Sequence, residues 1–187
     1  MENPSLTILT NDPSITAWGW AVIRDNKVLA AGCIQTSSQQ KARRIRKGDD
    51  TVRRVSEINT ELLQIIHKYS VNYLLSELPH GSQSASAAVM IGICTGVMQT
   101  ISDALGIGIE WYSEADAKKA ISGSRSVSKQ AMIEAVKKKY DVSWVSAKFR
   151  NEAIADAVAV YHCARQQSPI LKVHSGVLKS SSHFKPF

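Results

Sequence analysis

Residues 6–25, LTILTNDPSITAWGWAVIRD, decide the fold, because an apolar strand stops at Asp12, turns through Pro13 and Ser14, and returns at once as a second apolar strand. Asp, Pro and Ser are residues that build turns, so the simplest interpretation is a β-hairpin. The other interpretation is that Asp12 is held at the end of a sheet to bind a ligand. The segment by itself leaves both open.

Composition favours a globular protein with an anionic partner. The 187 residues are 44% hydrophobic, enough for one domain with a full core. Lys and Arg outnumber Asp and Glu, and the net charge of +7 favours a polyanion such as nucleic acid. Cys33, Cys94 and Cys163 are far apart and form no CxxC or Cys/His cluster, so neither a disulfide framework nor a zinc site is indicated.

The chain carries no pattern typical of export or membrane insertion. The first residues, MENPSL, lack the charged and apolar regions of a signal peptide. No apolar run approaches the roughly 18 residues that a membrane span requires. We therefore expect a soluble, intracellular protein in a reducing compartment, with no membrane partner.

The order of predicted elements indicates an α/β fold. Three short apolar runs predict an antiparallel meander, and a polar, cation-rich segment, predicted to be mobile, follows at 37–50. From Thr51 the apolar residues recur at intervals of three and four, as in an amphipathic helix. The remaining pattern is strand, helix, strand and then helices. The predicted strands are 5–10, 16–24, 27–35, 71–77 and 106–112, and the predicted helices are 51–69, 84–105, 113–121, 126–140 and 150–167.

This order predicts a mixed five-stranded sheet, with three antiparallel strands followed by two parallel ones, covered by helices on both faces. One domain is expected over 1–167. The basic tail at 168–187 is expected to be loosely ordered.

Carboxylates from three segments are predicted to meet at one edge of the sheet. Asp12 and Glu77 end strands that a right-handed crossover makes parallel neighbours, and Glu152 and Asp156 lie four residues apart on the last helix. Such an all-oxygen set suits Mg²⁺ or Mn²⁺, which can activate water and stabilise the leaving oxygen of a phosphodiester. The alternatives are a solvent-facing strand end for Glu77 and a favourable first-turn acid for Glu152. Asp156 is harder to explain that way, because it lies inside the apolar run AIADAVAV.

These motifs resemble the RuvC-type Holliday junction resolvases of the ribonuclease H-like nuclease superfamily, over about residues 6–165. ILTNDPSITAWGWAVI is similar to the family's first strand and turn, LLSELPHG to its second motif, and IADAVAVYHCA to its last helix. The resemblance implies catalytic roles for Asp12, Glu77 and Asp156, with Mg²⁺ as cofactor and Mn²⁺ able to take its place. It also implies a homodimer through the helix at 84–105, whose GICTG carries the family's two glycines, and a cytoplasmic location in a bacterial or phage-infected host cell.

The chain departs from the family pattern at several positions. Asn11 stands where an apolar residue is usual, and Ser14 replaces the glycine of the turn, as in phage-type members. Ala153 stands where the family commonly has an aspartate or histidine, so either Glu152 substitutes or the site lacks one ligand. His80 stands where many relatives place an aromatic wedge at the crossover.

Basic residues in two regions are predicted to contact DNA phosphates. The first region includes Arg53 and Arg54, and the second carries the two lysines that the resemblance places near DNA. Lys129 is also predicted to stabilise the charged transition state. A solvated surface loop is the alternative for the first region. The predicted contacts are Lys41, Arg43, Arg44, Arg46, Lys47, His80, Lys118, Arg125 and Lys129.

The predicted function is a metal-dependent endonuclease that cuts four-way junctions by paired symmetric nicks. A homodimer suits this substrate because both have two-fold symmetry. Two alternatives remain open at this point. One is a nuclease of the same fold that cuts branched DNA and flaps more broadly, and the other is a junction-binding protein with weakened or lost cleavage.

Overall fold

A five-stranded sheet forms the centre of the computed structural model, which describes residues 5–79, 81 and 84–174. The strands are β1 Thr7–Asp12, β2 Ala17–Arg24, β3 Lys27–Gln35, β4 Tyr73–Leu78 and β5 Gly108–Ser113, in the order β3-β2-β1-β4-β5. β1, β2 and β3 pair antiparallel, while β4 lies parallel to β1 and β5 parallel to β4. The predicted mixed sheet is confirmed.

Both hairpins follow from local sequence. Asp25 and Asn26 form a two-residue turn with positive φ angles of 49° and 62°, a conformation that Asp and Asn tolerate better than most residues. β1 continues beyond its predicted end at Thr10, so that Asp12 is its last residue and pairs with Gly19. The first hairpin therefore places Asp12 at the end of the central strand, on the edge of the sheet where β1 finishes. The segment is a β-hairpin, and Asp12 is also placed where it could bind a ligand.

Helices cover both faces of the sheet. The helices are α1 Gln40–Arg43, α2 Lys47–Tyr69, α3 Ala85–Leu105, α4 Glu114–Ser122, α5 Lys129–Lys137, α6 Lys148–Gln167 and α7 Pro169–His174. α2 and α3 enclose one core with Leu9 and Trp18, whereas α4, α5 and α6 enclose the other with Ile8 and Leu75. Alternate residues of β1 thus face opposite cores, as the pleat of a strand requires.

The segment at 37–50 is more ordered than predicted. It contains α1 and the first turn of α2, which starts at Lys47 rather than at Thr51. Asp50 explains the difference, because its fully buried carboxylate accepts a hydrogen bond from the Gln39 backbone N–H at 3.1 Å and pairs with Arg53 at 2.8 Å. These contacts hold the segment against α2.

The predicted loose tail begins with structure. Ser168 is buried, its hydroxyl donates to Glu110 at 2.8 Å, and Leu171 of α7 packs into the core beside α6. The prediction was therefore wrong for 168–174, where the sequence shows only one turn of apolar residues. The rest of the predicted tail, 175–187, lies outside the described residues.

Helix α3 is unusually apolar for its exposure. Cys94, Met98 and Ile101 on one side are buried against the sheet, while Val89 on another side is 56% exposed. By length and composition alone α3 could cross a membrane, with a mean hydropathy of 1.5 over its most apolar window. The expectation that no segment meets that criterion was wrong, although core helices of soluble proteins also meet it.

Candidate active site

The site lies at the sheet edge where β1, β3, β4 and β5 all end. Asp12 is the last residue of β1 and Glu77 the next to last of β4. β1 and β4 are hydrogen-bonded neighbours, and the pairing of Asn11 with Ser76 brings the two acids that follow to the same level of the sheet. Carboxyl ends of parallel strands are where α/β sheets collect ligands.

Helix α6 is held across this edge by two contacts. The Thr10 hydroxyl donates a hydrogen bond to the Ala157 carbonyl, and Gly19 lies beneath the backbone of Ala153. A Cβ on Gly19 would fall 2.0 Å from the Ala153 carbonyl oxygen, so glycine is required for this approach. Asp156 lies between these two anchor points of α6 and is therefore brought to Asp12.

Asn11 makes the strand before Asp12 rigid. Its fully buried amide donates to the carbonyls of Leu9 and Leu75 at 3.3 and 3.2 Å, and its oxygen accepts the Trp18 indole N–H at 3.1 Å. A buried polar group with its hydrogen bonds satisfied is tolerated in a core. This explains how the chain accommodates asparagine at a position where the family usually has an apolar residue.

Burial and the charges of neighbouring acids raise the pKa of all three acids. Burial, and then the charges of Glu77, Asp156 and Glu114, raise the pKa of Asp12 well above its ordinary value. Burial, followed by Asp156 and Glu114, likewise raises the pKa of Glu77. Burial raises the pKa of Asp156 to about 6, against the lowering effect of Lys118 and Lys129. Such mutual repulsion of carboxylates is characteristic of functional sites.

The chemistry of this donor set fits a hard divalent cation. Each acid offers only oxygen, and no hydrogen bond or ion pair from another described residue occupies the carboxylates of Asp12, Glu77 or Asp156. Their oxygens do not form a preassembled metal site, however: among the described residues no group of three or more His, Cys, Asp and Glu side chains does so. The acids share a neighbourhood and are free to bind a ligand.

Glu114 is a fourth acid of the site that the sequence interpretation missed. It is the first residue of α4, directly after β5, and its charge raises the pKa of Asp12, Glu77 and Asp156. As an acid in a first turn it also suits the helix dipole. The available signal was its position after a strand that ends beside Glu77, since Glu77 pairs with Tyr112.

The two predicted lysines and Glu152 lie around these acids. Lys118 forms an ion pair with Glu114, and Lys129 forms one with Glu152 at 2.8 Å. Glu152 raises the pKa of Asp156, so it is near the acids, but its carboxylate accepts a hydrogen bond from Lys129. Ala153 is buried one residue further along α6.

The predicted DNA contacts are distributed unevenly. Lys41, Arg43 and Arg44 are exposed on the segment that leaves the same sheet edge after β3, and no ion pair ties them to other described residues. Arg46 pairs with Asp49 at 2.7 Å, and Lys47 donates to Ser86 at 3.2 Å. Arg125 lies 3.4 Å from Asp116. His80 lies outside the described residues.

Arg53 and Arg54 have structural contacts instead. Arg53 bonds to Asp50 and Glu57, and Arg54 donates to the Ile15 carbonyl at 3.0 Å and to Thr36 at 2.7 Å. Arg53 also donates to the Ser37 carbonyl at 2.7 Å, so the two guanidinium groups tie α2 to the loops after β1 and β3. The sequence could not distinguish them from the exposed cations, because all lie in one basic run.

Comparison with known proteins agrees with this geometry. The sequence model of the family Crossover junction endodeoxyribonuclease RuvC matches residues 8–164. Crossover junction endodeoxyribonuclease RuvC of Parvibaculum lavamentivorans is 26% identical over 163 residues, covering 85% of this chain and 86% of that protein. The protein of the same name from Rickettsia bellii is 25% identical, covering 84% of this chain and 96% of that one.

Two solved structures share the fold. Thermus thermophilus RuvC in complex with a Holliday junction substrate aligns with a TM-score of 0.66 and 19% identity, covering 91% of this chain and 96% of that one. The yeast mitochondrial Holliday junction resolvase aligns with a TM-score of 0.60 and 11% identity, covering 94% and 85%. These likenesses identify the sheet and helices described above as a ribonuclease H-like fold of the same kind.

Proposed function

The chain belongs to the RuvC family of crossover junction endodeoxyribonucleases, which are structure-specific junction endonucleases, and we propose that it cuts four-way junctions by paired symmetric nicks with Asp12, Glu77 and Asp156 as its metal-binding carboxylates. The observation that supports this assignment is the shared edge: the charges of Glu77 on β4 and Asp156 on α6 raise the pKa of Asp12 on β1, and that of Asp156 also raises the pKa of Glu77. A carboxylate cluster of this kind needs a cation to be fully ionised at neutral pH.

The metal that we assign is Mg²⁺, with Mn²⁺ able to take its place, because both prefer oxygen ligands with open positions. A divalent ion held by the three carboxylates would supply an activated water and stabilise the leaving oxygen of the scissile phosphodiester. Lys129 and Lys118 would bind the phosphate from two sides, and Lys129 would stabilise the charge that develops there. Glu152 is the candidate for the ligand that Ala153 lacks.

DNA would approach along the basic side of the sheet edge. Lys41, Arg43 and Arg44 are exposed there, and with Arg46, Lys47 and Arg125 they would contact phosphates without reading bases. We assign the enzyme to the cytoplasm of a bacterial or phage-infected cell, where junction DNA is formed.

A homodimer through α3 would supply the second active site for the second nick. Gly92 and Gly96 are exposed, and a Cβ built on either would meet no atom within 4 Å. Together with the exposed Val89 they form an apolar face with small residues. Such a face allows a second helix to approach closely, and two-fold symmetry matches the junction.

A nicking assay tests the proposal. The protein is incubated with a labelled four-way junction and Mg²⁺ or Mn²⁺ beside Asp12→Asn and Glu77→Gln, with Glu61→Gln, an exposed acid of α2, as control. We expect symmetric nicks from wild type and the control, and a loss of at least about 100-fold in both site variants, since the metal is bound mainly through them.

Two outcomes would change the assignment. Equal cutting of flaps or forks would support the broader branched-DNA nuclease. Junction binding without cutting by wild type in either metal would overturn catalysis and support a junction-binding protein.

A further inference from the structure

Two lysines border the acidic site, and each is bound by a carboxylate of the same chain. Lys118 pairs with Glu114 one turn earlier on α4. Lys129, the first residue of α5, pairs with Glu152 of α6 at 2.8 Å. The two ammonium groups predicted to bind DNA phosphate are thus engaged before any DNA arrives.

Glu114 and Glu152, the acids that pair with the two lysines, both lie on helices that border the acidic site. Glu114 is the first residue of α4 at the end of β5, and Glu152 lies one turn before Asp156 on α6. Among the inner acids, the charges of Asp156 and Glu77 act on Lys118, and those of Asp156 and Asp12 act on Lys129. Each lysine is therefore bound by one carboxylate, Glu114 or Glu152, and is also attracted by the charges of the acidic site.

The exposure of the pairs allows their partners to change. The Lys118 side chain is 24% exposed and Glu114 44%, while Lys129 is 71% exposed and Glu152 16%. An ion pair open to water contributes little to stability, so another anion can compete for its ammonium group. Phosphate oxygens accept the same charge-assisted hydrogen bonds as carboxylate oxygens.

We propose that Glu114 and Glu152 are positioning residues that hold Lys118 and Lys129 beside the acidic site and are exchanged for DNA phosphates when a junction binds. The inference rests on the proposed function for the identity of the ligand. Because both lysines are paired in the free protein, its active site has two fewer unpaired cations, and its affinity for DNA in general is lower. Each lysine is nevertheless kept in place for the junction.

A double-mutant cycle tests the exchange without relying on catalysis. The dissociation constant of a four-way junction is measured in EDTA at about 0.1 M salt for wild type, Glu114→Gln, Lys118→Met and the double variant. We expect Glu114→Gln to tighten binding about three- to tenfold in the wild-type background, because Lys118 is released for phosphate. In the Lys118→Met background the same substitution should change binding by less than about twofold.

The control separates exchange from simple repulsion between Glu114 and DNA. Repulsion would give the same tightening in both backgrounds, and that result, or weaker binding by Glu114→Gln, would overturn the inference. Circular dichroism melting confirms that each variant is folded. Should a Glu114 variant fail to fold, Glu152→Gln with Lys129→Met carries the same test at the more exposed lysine. If wild type nicks the junction but Glu114→Gln changes binding equally in both backgrounds, the exchange alone is overturned. If wild type binds the junction without nicking it, only the proposed catalysis is overturned.

Discussion

Gly19 of β2 lies directly beneath the backbone of Ala153 in α6, and a Cβ on Gly19 would fall 2.0 Å from the Ala153 carbonyl oxygen. Gly19 also pairs with Asp12 across the first hairpin. One glycine therefore sets both the height of α6 above the sheet and its distance from the end of β1. This contact links the fold to the site, because Asp156 follows Ala153 by one turn of α6.

Gly19→Ala should move α6 away from β2 and lower both stability and activity. Overpacking against backbone costs about 1–3 kcal/mol, so we expect a clear fall in the urea midpoint and in the nicking rate. The matched control is Gly48→Ala on α2, where a Cβ meets nothing within 4 Å and alanine should be neutral or slightly stabilising. An unchanged urea midpoint for Gly19→Ala would contradict the close approach.

The sequence revealed the parts of the site that local patterns mark. Asp12 and Glu77 end apolar strands, and Asp156 interrupts an apolar helix, so each stands out against its neighbours. Glu114 does not stand out, because an acid in a first helical turn is ordinary and its proximity to Glu77 depends on β5 lying beside β4.

The errors in the fold have the same origin. The segment at 37–50 looks like a solvated basic run, and only the packed structure shows that Asp50 is buried and anchors it. The helix α7 is too short to show a period, and its packing depends on the contact between Ser168 and Glu110 across the molecule. The anchoring hydrogen bonds span 11 residues in the first case and 58 in the second, so no local sequence pattern shows either of them.

Asp156 should make the metal-free protein less stable as the pH rises. Its pKa is about 6 in the folded chain against about 4 in an unfolded one, so between these values the folded state binds more protons. The contribution of Asp156 to the free energy of unfolding then falls with pH across this window and is level above it. Asp156→Asn should remove the loss, by up to about 3 kcal/mol, which corresponds to about 2–4 °C in Tm for each kcal/mol.

Calorimetry in EDTA from pH 4 to pH 8 measures this effect. The stability gained by Asp156→Asn over wild type should grow from about pH 4 and continue to grow above pH 6, because removing the Asp156 charge also relieves the raised pKa of Glu77 and Asp12. Glu61→Gln, at an exposed acid of α2, should show no such growth. If Asp156→Asn stabilises the protein by the same amount at every pH, the pKa of Asp156 is not raised by its surroundings.

Ala153→Asp should raise the nicking rate if the site lacks a ligand there. Position 153 lies three residues before Asp156, on the same side of α6, and in this chain Glu152 is bound to Lys129. A new carboxylate should also lower Tm in EDTA, because Ala153 is buried, and should increase the stabilisation given by Mg²⁺. Ala153→His is the matched variant without a negative charge. If the nicking rate of both variants is unchanged or lower, Glu152 already takes the place of the missing ligand.

Arg43→Ala with Arg44→Ala should weaken junction binding and reduce its dependence on salt. Both side chains are exposed on the segment that leaves the active-site edge after β3. Each lost phosphate contact should lower the slope of log K against log salt by about 0.9. The control, Lys27→Ala with Lys68→Ala, removes two cations at the opposite edge of the sheet, where β3 begins and α2 ends. Equal slopes of log K against log salt for the two double variants would indicate that the segment with Arg43 and Arg44 is a solvated loop that does not contact DNA.

Gly96→Glu on α3 should convert a dimer into a folded monomer. Gly96 is exposed and a Cβ there meets nothing within 4 Å, so glutamate is tolerated inside one chain, and it favours a helix more than glycine does. In a two-fold interface the same glutamate would face its own copy, and burying two like charges is costly. Sedimentation equilibrium should therefore show a dimer for wild type and a monomer for Gly96→Glu, with unchanged circular dichroism. Thr60→Glu, on the exposed side of α2, should remain dimeric. The monomer should nick a junction once without the paired second cut, whereas a Gly96→Glu protein that stays dimeric would place the interface elsewhere.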